Sequence, residues 1–292
     1  MSIGILYESD EWSNWRIKNL IESHGIKTNY IYIENFKLSG GKFPDRLYIN
    51  RVFPSAGMRG NNKALKNTSG ILEVLNNLKI PVINSFNAFL YDCSKVKTYD
   101  KLLGIKINIP EYYFIGDLKS INSFIKKISF PAVLKKDCGG RSFDLNIIRN
   151  AGDLQKLNIK IESDCWIIQE FIEPVKEFTT RVEIVDGKIM TVLKRYLGKG
   201  GVSSYSTASR YEVYNDCPLD IKEDSIKIMN FLEIEMGSID FIETESGINY
   251  VIDVNATSNF TPDYIPLLGF DPVEKMVEYI LKKYKIIQKG EK

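Results

Sequence analysis

The chain has 292 residues, 44% of them hydrophobic and 26% charged, with a formal net charge of +2. That length can bury a substantial core in two or three subdomains, and the small net charge gives no reason to expect nucleic acid or an anionic membrane as a partner. A single histidine, His24, leaves little material for a histidine-based zinc site or a serine-type triad.

In chain order, residues 3–7 form a short apolar run that predicts a first strand. Residues 12–23 carry Trp12, Trp15, Ile17, Leu20 and Ile21 at helical spacing, and Gly25 is the expected stop. Strands are predicted over 30–33 and 46–50, a helix over 67–78, and a further strand over 82–84 after Pro81. Strands alternating with helices imply a small open α/β sheet, parallel in part. Arg51 ends one of these strands, where ligands of such sheets bind, although an arginine there is more often salt-bridged or solvated. Tyr7, Glu8, Trp12 and Trp15 could shape a substrate pocket, but core packing is the favoured reading of the two tryptophans.

From Ser94 the texture changes. Lys95, Lys97 and Lys101 punctuate a helix ending near Gly104, and a buried-looking strand over 130–136 closes on Lys135 and Lys136. It runs into Asp137, Cys138, Gly139, Gly140, Arg141 and Ser142, a glycine turn whose backbone N–H groups can approach phosphate closely. It is no Walker loop, because the Gly-Lys-Ser/Thr signature and the following helix are missing. A strand over 166–172 follows. Two alternating runs, 177–185 and 188–196, flank Asp186-Gly187, a strong hairpin signal. The Gly, Ser and Lys stretch over 198–210 is read as a mobile substrate or phosphate loop. Amphipathic helices are expected over 220–232 and 272–286, the latter with Asp271 as N-cap and Pro272 at its first position.

The stretch 250–255 organises the rest. Alternation sends Val251, Asp253 and Asn255 to one face of a strand, and Tyr250, Ile252 and Val254 to the other. If 238–242 pairs with it through the turn at 244–247, Asp240 faces Val251 and lies diagonal to Asp253. Two carboxylates and an amide oxygen then converge, and hard oxygen donors suit Mg²⁺. One such acid alone would read as a strand end; three together favour a metal. The four cysteines, Cys93, Cys138, Cys165 and Cys217, lack any Cys-x-x-Cys pair, as expected of reduced thiols in the cytoplasm. No apolar run can span a bilayer, and the first residues read as strand, not signal peptide.

This order of parts resembles the ATP-grasp superfamily, particularly RimK-type and D-alanine–D-alanine-ligase-type carboxylate–amine ligases, best from about Ser94 to Tyr284. The resemblance implies an α/β (α+β) chain with an N-terminal domain over 1–88 and two subdomains, 89–165 and 166–292, that clamp ATP. It implies ATP with Mg²⁺ (or Mn²⁺), and a substrate carboxylate that is phosphorylated before an amine displaces phosphate. The substrates would be an amino acid or peptide and an amine acceptor, in a cytoplasmic protein, with a homodimer as the family habit. Lys97 and Lys135 resemble the lysines that hold the α- and β-phosphates, with Lys95 and Lys136 as neighbours in competing registers. Gly139, Gly140, Arg141 and Ser142 resemble the loop over the phosphates. Glu170, through its main chain, and Ile172 resemble the adenine hinge, and Glu177 the ribose carboxylate. Asp240, Asp253 and Asn255 resemble the magnesium ligands. Arg181 and Arg195 resemble residues that contact the γ-phosphate or the reacting carboxylate, although Arg181 alternates with Val182 and Ile184 and could face solvent. The chain departs from the pattern after Asn255, where Ala256-Thr257-Ser258-Asn259 replaces the usual Pro-Gly step. A small-molecule kinase and a catalytically silent nucleotide-binding module are the alternatives.

Overall fold

The structure is a computed structural model that describes residues 2–36, 43–116, 127–140, 145–156, 165–198 and 210–290. Its first strand, β1 (Ser2–Tyr7), has Ile3, Ile5 and Leu6 fully buried. Side chains alternate across a strand, so burial on both faces marks a central one. β1 lies between β2 (Lys27–Tyr32) and β3 (Leu47–Arg51), with β4 (Val82–Ile83) outermost, and every pairing is parallel. The β1–β2 and β3–β4 crossovers run through helices Trp12–Ser23 and Asn62–Asn77, as the alternating pattern requires. Gly25, at φ +75°, adopts the left-handed conformation that ends the first helix cheaply. At Gly4, a Cβ would sit 2.4 Å from the Tyr48 ring, so only glycine lets β1 and β3 pack this closely.

Two antiparallel sheets follow. The middle one has the order β5 (Tyr112–Ile115), β8 (Trp166–Glu170), β6 (Ala132–Lys136), β7 (Asn146–Ile148). β8 pairs with both β5 and β6, so its residues belong to the middle sheet, whereas the expected division at 165/166 gives them to the C-terminal part. The C-terminal sheet has the order β11 (Tyr211–Val213), β10 (Lys188–Tyr196), β9 (Phe178–Val185), β12 (Met236–Glu243), β13 (Asn249–Asn255). Asp186 and Gly187 take positive φ at the β9–β10 turn, the conformation that Asp-Gly favours.

The β12–β13 register differs from simple alternation. Asp240 stands opposite Asp253 and Phe241 opposite Val251, which leaves Ile252 as the extra residue of a bulge. Val251 therefore joins Val254, Ile239 and Phe241 in the core beneath helix Leu219–Phe231, instead of sharing the face of Asp253 and Asn255. The final helix, Pro272–Gly290, is capped by Asp271, which accepts from the Val273 N–H at 2.8 Å. It buries Val273, Met276, Val277, Ile280, Leu281 and Tyr284 in a core that also holds Ile3, Ile17, Leu193 and Met236. At roughly 1.5–3 kcal/mol per large apolar side chain, this burial fixes the helix far more strongly than propensity does. The N-terminal and C-terminal sheets are thereby packed against one helix. Among the described residues, no helix is long and apolar enough to cross a membrane.

Candidate functional site

One wall of the site comes from the middle sheet and the helix Lys95–Gly104. On β6, Val133 and Lys135 are two residues apart and face the same cavity. Lys135 is buried, and its Nζ donates to Tyr99 Oη at 3.2 Å and to the Ile252 carbonyl at 3.1 Å. Burial, reinforced by the nearby Lys95 charge, pushes its ammonium down to about 7. Ser94 caps the helix, accepting from the Lys97 N–H at 3.3 Å and donating to Asp137 Oδ2 at 2.9 Å. Residues two apart on a helix point about 200° apart, so only one of Lys95 and Lys97 can face inward. It is Lys95, whose Nζ lies 3.3 Å from the Gly139 carbonyl and 3.6 Å from Asp253 Oδ1. Lys97 is exposed and lies away from the cavity, so the geometry replaces it with Lys95. Burial opposes the Lys95 charge, but the Asp253, Asp137 and Asp92 carboxylates outweigh it and hold its ammonium above its ordinary value.

The C-terminal sheet forms the opposite wall. Thr179 and Arg181 share one face of β9, and Arg195 on β10 stands opposite Thr179. Arg181 does not face solvent. Its Nε donates to Glu183 at 2.6 Å and its Nη1 to Asp240 Oδ2 at 3.1 Å, while Arg195 Nη1 reaches Asp240 Oδ2 at 2.8 Å. Burial alone would raise the Asp240 carboxyl, but the two guanidiniums outweigh it and hold it below the usual carboxylate range. The two strands that carry the carboxylates contain no lysine or arginine themselves; the cations come from β9 and β10, the next strands in the sheet.

Between the walls lies a cleft of about 1180 Å³, including its open mouth. Lys95, Lys135, Lys136, Arg181 and Arg195 line one part of it together with Asp240, Asp253 and Asn255. Ile147, Phe171, Ile172 and Ile242 add apolar lining. A flat base beside a polyanion is the kind of ligand that such a mixed lining accepts. Gly139 and Gly140 line both this cleft and a second cavity, which continues past Arg181, Arg195 and Asn255 toward Glu11, Asp92, Tyr211 and Tyr264.

Ile172 joins the cleft, but Glu170 and Glu177 do not line it. Both side chains are exposed, the Glu170 N–H donates to the Glu111 carbonyl at 2.8 Å, and the Glu177 carbonyl accepts from the Leu197 N–H at 2.9 Å. Arg141, Ser142 and the stretch 199–209 lie outside the described residues. Arg51 faces neither cavity. It is fully buried, donating to Asn14 Oδ1 (2.7 Å), the Ser258 carbonyl (2.8 Å) and Ser13 Oγ (2.9 Å). Sequence reasoning missed Asp92 and Glu183, which sit at a helix end and within an ordinary alternating strand and carry no motif of their own.

Residues 93–280 match the model of the RimK-like ATP-grasp domain. The chain belongs to that family. Beta-citrylglutamate synthase B of Danio rerio is 23% identical over 217 residues, which cover 72% of this chain and 53% of that protein. The chain spans about half the length of that relative. The D-alanine–D-alanine ligase of Borrelia duttonii (strain Ly) is 26% identical over 265 residues, 81% of this chain and 71% of the ligase. Among solved structures, the RimK domain ATP-grasp protein of Sphaerobacter thermophilus superposes with a TM-score of 0.72 at 14% identity, covering 96% of this chain and all of that one. At that identity the likeness shows the fold alone.

The family implies a magnesium ion, and the donors suit one. Asp253 is open to the cleft, Asp240 borders it, and the buried Asn255 Nδ2 has no hydrogen-bond partner among the described residues. Among the described residues nothing holds that amide in its orientation, and a half-turn presents its oxygen instead. Among the described residues, no cluster of three or more His, Cys, Asp or Glu side chains offers a competing metal site.

Proposed function

We propose that the chain is an ATP-dependent carboxylate–amine ligase that joins an amino acid or peptide to an amine through an acyl phosphate. The observation that carries this reading is the convergence of four cationic side chains, Lys95, Lys135, Arg181 and Arg195, with Asp240, Asp253 and Asn255 in a cleft whose remaining lining is largely apolar. Within it, Arg195 Nε is buried without a partner among the described residues, a donor that a phosphoryl or carboxylate oxygen would satisfy. The names of the relatives support a ligase, since one is a synthase of a glutamate conjugate and another joins two alanines.

In this mechanism the apolar lining holds the base, and Lys95 and Lys135 hold phosphate oxygens, with Gly139 and Gly140 lining the same cleft. Glu170 and Glu177 bracket the connector between β8 and β9; Glu170 would meet the adenine through its main chain and Glu177 the ribose hydroxyls through its carboxylate. Asp240, Asp253 and Asn255 would hold the metal, which when bound neutralises charge on the transferring phosphoryl group. Arg181 and Arg195, fixed by Asp240, orient the substrate carboxylate for attack on the γ-phosphorus, and their charge persists as the acyl phosphate forms. The amine enters from the second cavity, which shares both arginines with the cleft, and displaces inorganic phosphate. No histidine is needed, because positioning and charge neutralisation carry the transfer. The N-terminal unit over 1–88 supplies part of the second cavity, and the two clamp units meet in the connector after Glu170.

The test is ATP consumption with Mg²⁺ across pools of amino acids and short peptides, with and without hydroxylamine, resolving ADP, AMP and phosphate. Substrate-dependent ADP and phosphate with a trapped hydroxamate is the expected result. ADP formed without phosphate or hydroxamate, and only with a polyol or sugar phosphate, would replace the ligase with a kinase.

A further inference from the structure

The second cavity contains a carboxylate that the phosphoryl-transfer half of the mechanism does not use. Asp92 ends the helix Phe86–Asp92 and is 6% exposed, yet it lines this cavity together with Arg181, Arg195 and Asn255. Its Oδ2 accepts from Thr257 Oγ1 at 2.9 Å, and the backbone N–H of Ala256 also faces it. A neutral amide could accept from Thr257 at a much smaller desolvation cost, so an acid buried here needs a reason beyond holding the turn. The second acid of the cavity, Glu11, is already engaged by Asn259 Nδ2 at 3.0 Å and by Ser9 Oγ at 3.4 Å.

We infer that Asp92 is the proton acceptor for the incoming amine in the second half-reaction. This rests on the ligase reading above. An acceptor arrives as an ammonium and cannot attack until it loses a proton. Asp92 takes that proton, the freed lone pair forms the C–N bond at the acyl carbon, and the C–O bond to phosphate breaks. The remaining surplus proton on nitrogen leaves with inorganic phosphate, so charge and atoms balance. Burial pushes the Asp92 carboxyl up to about 7, with Thr257 and Ala256 pulling the other way, and a base titrating near neutral pH is suited to this transfer. The charged and titratable groups around it are Lys95 and Asp253 from the cleft, Arg51 from β3, and the thiols of Cys93 and Cys138.

Hydroxylamine separates the two half-reactions, because it is largely uncharged at neutral pH and needs no base. Wild type and Asp92→Asn are compared with ATP, Mg²⁺ and the common amino acids supplied together as carboxylate donors and amines, reading hydroxamate and amide. The expected result is hydroxamate within about twofold of wild type and amide reduced at least about 100-fold, with the loss shrinking toward pH 9. Asp92→Glu restores part of the amide formation. Thr257→Val, which removes a donor that favours the carboxylate, moves the acidic limb of amide formation to higher pH and leaves hydroxamate formation in place. Equal amide formation in Asp92→Asn overturns the inference while leaving the ligase intact. Loss of both products in a variant that keeps the wild-type melting transition also overturns it, and so does an unmoved acidic limb in Thr257→Val. Absence of hydroxamate from wild type with every donor overturns the ligase reading, and this inference with it.

Discussion

Asp240 and Asp253 stand directly opposite each other across the β12–β13 pair, but Asp240 is engaged by two guanidiniums, whereas Asp253 is 27% exposed and meets Lys95 at 3.6 Å. The two substitutions to asparagine are therefore expected to fail differently. Asp253→Asn removes a ligand at the cleft surface and should lower turnover at least about 100-fold while changing stability by less than about 1 kcal/mol. Asp240→Asn leaves Arg181 and Arg195 buried without their shared counter-charge and should cost about 3–5 kcal/mol of stability as well. Urea denaturation of both variants beside ATP turnover checks this. Equal stability losses would mean that the arginines do not depend on Asp240.

The two lysines of the helix Lys95–Gly104 give a cleaner contrast. Lys95 is buried against Gly139 and Asp253, and Lys97 is exposed. A charged hydrogen bond to phosphate is worth about 1.5–3 kcal/mol, or roughly 10- to 100-fold in affinity. Lys95→Ala should weaken ATP binding by that factor, and Lys97→Ala by less than about twofold. Calorimetric titration with a nonhydrolysable ATP analogue decides between them; the reverse ranking would restore Lys97.

Why the sequence led to Lys97 is physical. A register error of two residues on a helix turns the side chain by more than half a circle, and nothing in a lysine-rich stretch marks the start of the helix until Ser94 is seen to cap it, itself held by Asp137. The parallel N-terminal sheet was legible from the alternation of strands with helices, and the Asp186-Gly187 hairpin and the Asp271 cap from local turn and cap chemistry. The bulge at Ile252 was not, since it depends on the partner strand: it sends Val251 into the core and brings the Ile252 carbonyl under Tyr99 and Lys135. The short strands β5, β7 and β11 were likewise invisible, being too brief for a period and held by neighbours distant in sequence. Asp240, Asp253 and Asn255 were found together because strand alternation nearly survives the bulge.

Lys135 makes stability depend on pH. Its folded pKa near 7 lies well below that of an exposed lysine, so the unfolded chain holds more protons between about 7 and about 10.4. The burden of burying this ammonium is full below pH 7 and is relieved as pH rises through that window. Lys135→Met should therefore be more stable than wild type at pH 6, with the difference shrinking toward pH 9. Nucleotide phosphates should favour the charged form, so ATP binding at pH 8 should take up about one more proton in wild type than in the variant. Urea midpoints at the two pH values and calorimetry in buffers of different ionisation enthalpy measure both effects. A constant difference between the proteins would mean that Lys135 is charged throughout.

Arg51 is among the largest fully buried side chains of the described residues, and it holds the N-terminal unit to the turn that follows Asn255. Its three donors meet neutral acceptors, Asn14, Ser13 and the Ser258 carbonyl, and burial lowers its guanidinium to about 10. Ser258 in turn donates to Glu183 Oε2 at 2.6 Å, and Glu183 holds Arg181 in an ion pair, so the anchor connects β3 to the arginine pair. Arg51→Met strands three buried acceptors and should cost roughly 2–4 kcal/mol after the arginine's own desolvation is recovered. Arg51→Lys should recover little of this, because one ammonium cannot reproduce the planar fork that reaches all three. Nucleotide affinity, which depends on Lys95 and Lys135 on the other wall, should stay within about twofold below the melting transition. Denaturation midpoints read beside ATP-analogue affinity test the separation, and a parallel fall in both would mean that the N-terminal unit also shapes the nucleotide cleft.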